Sequence, residues 1–321
     1  VVSKSSSATL LHLSEREVQD HLPPPREAIA LVRDAMAALA DGSAELPPKP
    51  AVHPRSDGFA NAMPAYLRDG DLLGLKWVAS YPGNAAQGLP TVNGLVVLSS
   101  SDTGMPTAVM GAAALTGART AAVSGACIDA LAPAAPGHVA ITGAGLQARS
   151  HLTMLAALGR DQVTVFARRD EAAADLREWA AEHAPSVRLT CVGSAREAVL
   201  EAAVVVTALP IGVPGLLLDP AWIRVDALLL PLDYGTSVGA DLAAQGALYA
   251  DDVEQLLRYR DAGAFEGYRD PDGYCGTAIR QPRPGGLVVC QNLGNGAADL
   301  VVADYVLRSA LAAGSGTVLN L

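Results

Sequence analysis

Lys76 stands in GLKWV, in the middle of an apolar run that patterns as a buried strand. An ammonium there is costly unless it meets an opposite charge. Arg119 raises the same question in the alanine-rich stretch ALTGARTAAVSG, where its guanidinium needs an anion from a substrate or a neighbouring acid. Asp233 closes the apolar run ALLLPLD, at the end of a strand where parallel sheets present ligand-facing residues. Each of these, taken alone, is more often a salt bridge or a cap. Their residue types are those of anion binding and proton transfer.

The stretch VAITGAGLQARSHL, residues 139–152, offers a different chemistry. Gly143, Gly145 and Ala148 give the pattern G-x-G-x-x-A, with Gln147 inside it. The first glycine permits a tight turn, the second lets backbone approach a pyrophosphate, and the small third residue lets helix and strand pack closely. The following helix points its amides and positive dipole end at the phosphates. The turn follows an apolar strand and opens a helix, which is the context this reading requires. At the end of the next strand, VTVFARRDE places Ala167 where an NAD site expects an acid, followed by Arg168 and Arg169. An arginine pair there suits a 2′-phosphate, so NADP(H) is expected over NAD(H).

The elements that must position these residues can be traced along the chain. Ser14 and Glu17 have capping-box spacing before a helix, and after a Pro-rich turn a second amphipathic helix stops at Gly42. From residue 60 to 108, short β runs separated by PGN and SDTGMP predict a largely antiparallel sheet. A long alanine-rich helix should follow from about Ala112 and end near Pro133. Strands and helices then alternate: HVAIT, helix 149–158, VTVFA, helix 170–183, VRLTCV, helix 194–201, VVVTAL and ALLLPL. Apolar strands spaced by helices predict a parallel sheet covered on both faces. DLVVADYVLRSALAAG predicts one more helix.

Half the residues are hydrophobic and 17% are charged, as in a globular protein with a substantial core. A net charge of −10 argues against a nucleic-acid partner, which needs a basic face. Cys127, Cys191, Cys275 and Cys290 are scattered with no CxxC pair, so they read as structural cysteines of a reducing compartment, with neither disulfide nor metal expected. No apolar stretch reaches a membrane span, and VVSKSSSATLL has no signal-peptide hydrophobic region. A cytoplasmic protein is expected.

Seven stretches in order resemble the ornithine cyclodeaminase/mu-crystallin family: MPAYL, GLKWVASYPGN, GLPTVNGLVVLSSSDTGMPTAVM, ALTGARTAAVSG, ITGAGLQARSHL, VVVTALP and NLGNGAADLVVADYVL. The resemblance runs over nearly the whole chain. It implies an α/β protein with a Rossmann-type dinucleotide-binding domain, residues 119–297, inserted in a discontinuous α+β domain for substrate binding and dimerisation, residues 1–118 and 298–321. It implies a homodimer and an α-amino or α-imino acid substrate. Lys76 matches the family's active-site lysine and Asp233 its catalytic aspartate. Arg119 matches the arginine that grips the substrate carboxylate, with Lys49 in PPKP standing about where many members carry a second arginine. Thr120 matches a cofactor-phosphate contact, and Thr207 in VVVTALP joins Gly143, Gly145, Gln147, Ala148, Arg168 and Arg169 as a cofactor-binding candidate.

Two departures bear on substrate identity. Many members continue after the aspartate with Pro-Gly-Lys-x-Glu, whereas this chain reads DYGTSVGAD; and Lys49 gives up the bidentate geometry of arginine. The expected activity is reduction of the C=N bond of an imino acid, or the reverse on an amino acid. A redox-neutral cyclodeaminase and a cofactor-bound binding protein are the alternatives.

Overall fold

The computed structural model describes residues 9–211 and 216–321. The reading of VVSKSSSA therefore lies outside the described residues. β1 (Thr9–Leu13) leads into α1 (Glu15–Asp20). The capping box forms there: the Ser14 hydroxyl accepts from the Glu17 amide, and the Glu17 carboxylate accepts the Ser14 N–H at 2.8 Å. Pro25 opens α2 (Pro25–Asp41), where a missing N–H is no loss, and Gly42 ends it in the left-handed region at φ 77°. β2 (Ala44–Glu45), β3 (Ala51–Arg55), β4 (Gly58–Leu67), β5 (Leu72–Ser80), β6 (Val92–Ser99) and β7 (Pro106–Gly111) follow, then α3 (Ala113–Leu131).

The expected alternation comes next, as β8 (Val139–Thr142), α4 (Leu146–Ala157), β9 (Gln162–Phe166), α5 (Asp170–His183), β10 (Arg188–Val192), α6 (Ala195–Val199), β11 (Val204–Thr207) and β12 (Leu228–Pro231). α4 begins three residues earlier than its sequence suggests, directly on the glycine turn. The chain then adds α7 (Ala240–Ala243), β13 (Ala247–Ala250), α8 (Val253–Asp261), β14 (Gly273–Tyr274), α9 (Cys275–Ala278) and β15 (Val288–Gln291). It ends with α10 (Gly296–Ala313) and β16 (Thr317–Asn320). No helix among the described residues is long and apolar enough to cross a membrane.

The chain divides into two compact units. The first takes the chain up to Pro24, Asp41–Arg119 and Asn295–Leu321. Its sheet runs β16-β1-β7-β6-β5-β4-β2, with β3 on β4. The sheet is antiparallel from β2 to β7, as the turn signals require, but β1 joins β7 in parallel and β16 then closes against β1. α10 covers the face of β4, β5 and β6. On the opposite face Trp77 and Leu95, register partners across β5 and β6, remain 44% and 47% exposed.

The second unit takes Pro25–Ala40 and Thr120–Gly294. All its strand pairs are parallel, in the order β10-β9-β8-β11-β12-β15-β13-β14. β8, β11, β12 and β15 are buried along their whole length, which is why they read as continuous apolar runs rather than alternating ones. The first five strands have the 3-2-1-4-5 order of a doubly wound dinucleotide-binding sheet, and the order reverses between β8 and β11.

Candidate active site

The buried lysine finds its charge on the last helix of the chain. Lys76 Nζ, on β5, donates to Asp299 Oδ1, on α10, at 2.7 Å, and lies 3.4 Å from the Thr116 hydroxyl on α3. Arg119, one turn after Thr116, brings its Nε within 2.9 Å of the same Asp299 oxygen. That contact pairs the charges but is off line for a hydrogen bond, so Arg119 Nε and Nη1 and Asp299 Oδ2 have no hydrogen-bond partner among the described residues. Lys76 and Asp299 are fully buried, and Lys49 and Arg119 nearly so. Gly296 makes the approach possible, because a Cβ there would lie 2.9 Å from the Met63 carbonyl, and Met63 faces Lys76 across β4 and β5.

Burial, then the Arg119 charge, pushes the Lys76 ammonium down to about 7 against the pull of Asp299, and Lys49 adds to the push. A lysine at that value exchanges its proton near neutral pH. Asp299 was not singled out by the sequence reading. Its signal is an acid in the near-continuous apolar run AADLVVADYV.

Asp233, in the second unit, follows β12 at the carboxyl edge of the parallel sheet. Its Oδ1 accepts from the Thr207 hydroxyl at 2.7 Å, and its Oδ2 from the Ser237 hydroxyl at 2.6 Å and the Leu209 amide at 3.2 Å. Burial raises its pKa above the usual carboxylate value while these donors oppose the shift. Thr207, expected among the cofactor contacts, thus spends its hydroxyl proton on Asp233. Ser237 is a residue the sequence reading passed over, although DYGTS places it four residues on. Tyr234 sits at φ 57°, and its ring packs on Tyr259 and Phe265. The segment that departs from the family pattern thus turns its aromatic ring onto the core.

The glycine turn lies where the strand order reverses. Gly143 takes φ 107°, and a Cβ on it would lie 2.6 Å from the Ala208 carbonyl. Gly145 caps α4 with no side-chain acceptor, and a Cβ there would meet nothing within 4 Å. Ala148 is fully buried. Thr142 Oγ1 and Gln147 Oε1 are buried without a hydrogen-bond partner among the described residues. Free helix amides, open space and unpaired polar atoms fit a pyrophosphate. Thr120 is buried in α3, its carbonyl accepting from Asn292 Nδ2 at 3.4 Å. Arg168 and Arg169 are exposed beyond the end of β9, and neither side chain makes a hydrogen bond or ion pair among the described residues.

The ornithine cyclodeaminase/mu-crystallin family matches residues 11–233. The nodulation efficiency protein NfeD of Rhizobium meliloti is 31% identical over 318 residues, 96% of this chain and 98% of its own. The ketimine reductase mu-crystallin of Mus musculus is 30% identical, over 92% of this chain and 96% of its own. An archaeal alanine dehydrogenase dimer with bound NAD is 27% identical with a TM-score of 0.85, over 98% of this chain and all of that one. Thermococcus litoralis Δ1-pyrroline-2-carboxylate reductase, solved with NADH and L-proline, shares the fold at 24% identity and a TM-score of 0.84, over 96% of this chain and 99% of that one.

These relatives overturn the expected preference for NADP(H) over NAD(H), since the alanine dehydrogenase holds NAD and the pyrroline-2-carboxylate reductase NADH. The physical reason lies in Arg168 and Arg169. Two exposed guanidiniums with nothing to orient them are solvated surface charges, and they form no preset clamp for a 2′-phosphate. With its glycine turn, its sheet order and its matches over most of its length, the chain belongs to the ornithine cyclodeaminase/mu-crystallin family.

Proposed function

We propose that this protein is an NAD(H)-dependent oxidoreductase that reduces the C=N bond of an α-imino acid, or runs the reverse on an α-amino acid. The observation that carries this reading is the buried pair of cations, Lys76 and Arg119, sharing one oxygen of Asp299 while Arg119 Nη1 has no hydrogen-bond partner among the described residues. A guanidinium so placed is ready for a carboxylate. The dinucleotide, when bound, supplies or accepts the hydride. Gly143, Gly145, Gln147 and Ala148 would hold its pyrophosphate, with Thr120 as a further phosphate contact.

Arg119, assisted by Lys49, fixes the substrate carboxylate. Lys76 polarises that carboxylate or the charge that develops beside Cα. Asp233 exchanges the proton with nitrogen as C=N becomes CH–NH, and its raised pKa suits a group that must carry one. Thr207 and Ser237 aim it.

A homodimer assembles through the first unit, in line with the dimeric alanine dehydrogenase of the same fold. The exposed Trp77 and Leu95 on the uncovered face of its sheet support this. Residues 1–118 with 298–321 would then serve substrate and dimer, and 119–297 the dinucleotide. The cytoplasm is its compartment in this reading, because close, unbridged thiols persist where the medium is reducing. The test is a panel of cyclic α-imino acids, and of α-keto acids with ammonia, followed by NADH absorbance. NADH consumption with at least one of them is expected. Ammonia release from ornithine with no net change in NADH would replace this reading with a cyclodeaminase.

A further inference from the structure

Three of the four cysteines, scattered in the sequence and expected to bind no metal, meet in the core of the second unit. Cys127 comes from α3, Cys275 is the first residue of α9, and Cys290 lies in β15. Their Sγ atoms all lie within 4.8 Å of one another. All three are 1% exposed. Cys191, in β10, is not part of the cluster.

The elements behind the sulfurs hold this arrangement. Gly276, next to Cys275, rests so closely on α2 that a Cβ would lie 1.9 Å from the Met36 carbonyl. Cys290 is paired with Tyr249 of β13, in a strand flanked on both sides. Cys127 sits within the nineteen-residue α3, between the buried Ala126 and Ile128. The donors are therefore fixed by three separate elements.

We propose that Cys127, Cys275 and Cys290 form a three-coordinate site for a soft monovalent ion, of which Cu(I) is the type. At a metal–sulfur distance of about 2.3 Å, three sulfurs around one ion stand about 4 Å apart, so the cluster needs to contract by less than about 1 Å. The donor set is all sulfur, which selects soft ions over hard ones. Zinc would want a fourth ligand, and the three sulfurs are shut away from water. Binding is an exchange of protons for metal: Cu(I) replaces two thiol protons, which leave to solvent, and the third sulfur coordinates as the thiol. The complex carries one negative charge. Arg33 and Arg283 are the cations nearest in effect, and Asp251 is the acid that opposes them.

The experiment uses the full chain carrying Cys191→Ala, so that the remaining outlying thiol cannot bind. The chain is expressed with copper in the medium and kept anaerobic. A parallel sample is refolded with Cu(I) supplied as its acetonitrile complex. Both are challenged with a bidentate Cu(I) chelator and read by metal content and by sulfur-to-copper absorption in the near ultraviolet. One retained Cu(I) per chain is expected. Cys275→Ala and Cys290→Ala, small changes in volume that leave α9 and β15 packed, should each cut retention at least about tenfold. Copper well below one per chain in both samples overturns the proposal. So does a variant of either cysteine that retains as much Cu(I) as the Cys191→Ala parent, or Zn(II) held as tightly as Cu(I).

Discussion

Asp299→Asn keeps shape and removes one charge, so its effect on Lys76 can be worked from the structure. The carboxylate is the one group that pulls the Lys76 pKa upward, against burial, Arg119 and Lys49. Two charges in contact, at about 3–4 Å and an effective dielectric near 20, interact by about 4 kcal/mol. That corresponds to about 3 pKa units. Relaxation of Arg119 toward the gap will reduce it, and a shift of at least about one unit should survive. The assay is the pH dependence of kcat/KM for NADH-linked imine reduction. In the proposed role it is the protonated Lys76 that polarises the carboxylate, so activity in the unaltered protein should be lost as pH rises through about 7. In the variant this limb moves to lower pH. At pH 7 the protonated fraction falls from about one half to less than about one tenth, so the rate falls at least about fivefold. Asp233 titrates apart from this, with its own raised pKa. A limb that stays in place, or moves to higher pH, would refute the reasoning.

Asp233→Asn keeps the size of the side chain and one of its two acceptor oxygens but cannot exchange a proton; turnover should fall by about 10²-fold or more while NADH binding, read by fluorescence titration, survives. Gly143→Ala forces a side chain into φ 107° and against the Ala208 carbonyl, and NADH affinity should drop at least about tenfold in the same titration. Lys76→Met should abolish activity yet raise the melting temperature at pH 7, because Asp299 keeps Arg119 as its counter-charge; a lowered melting temperature would count against the proposed cost of burying Lys76. Trp77→Glu with Leu95→Glu sets like charges on register partners, and light scattering should show a monomer mass.

What the sequence disclosed was local. The capping box at Ser14, the stop at Gly42 and the glycine turn at Gly143 are each written within a few residues, and physical chemistry reads them directly. The parallel sheet followed from apolar runs of the right length. Contacts between distant segments left no such trace. Lys76 and Arg119 announced that they needed an acid, but Asp299 lies 223 residues beyond Lys76, and no spacing rule links them. Cys127, Cys275 and Cys290 have no shared motif because a helix, a helix start and a strand deliver them separately. β1, TLLHL, has only three apolar residues and no local partner, and it pairs with β7 and β16. Arg168 and Arg169 were misread for the opposite reason: their charge is legible, but nothing in the residues tells a clamp from a solvated pair.

The pairing of β1 with β16, and of β5 with α10, has a consequence for synthesis on the ribosome. At about 5–20 residues per second, the stretch that separates Lys76 from Asp299 takes about ten to forty-five seconds to emerge. During that interval the apolar face of β4, β5 and β6 has no helix over it, and the lysine on it has no anion. The second unit takes Thr120–Gly294 from one continuous stretch and can complete its sheet within the same interval. The first unit must wait for the final strand. A nascent chain paused before Asn295 is therefore the species most in need of a holdase, and a ribosome stall there should send it to aggregates rather than to a partly active enzyme.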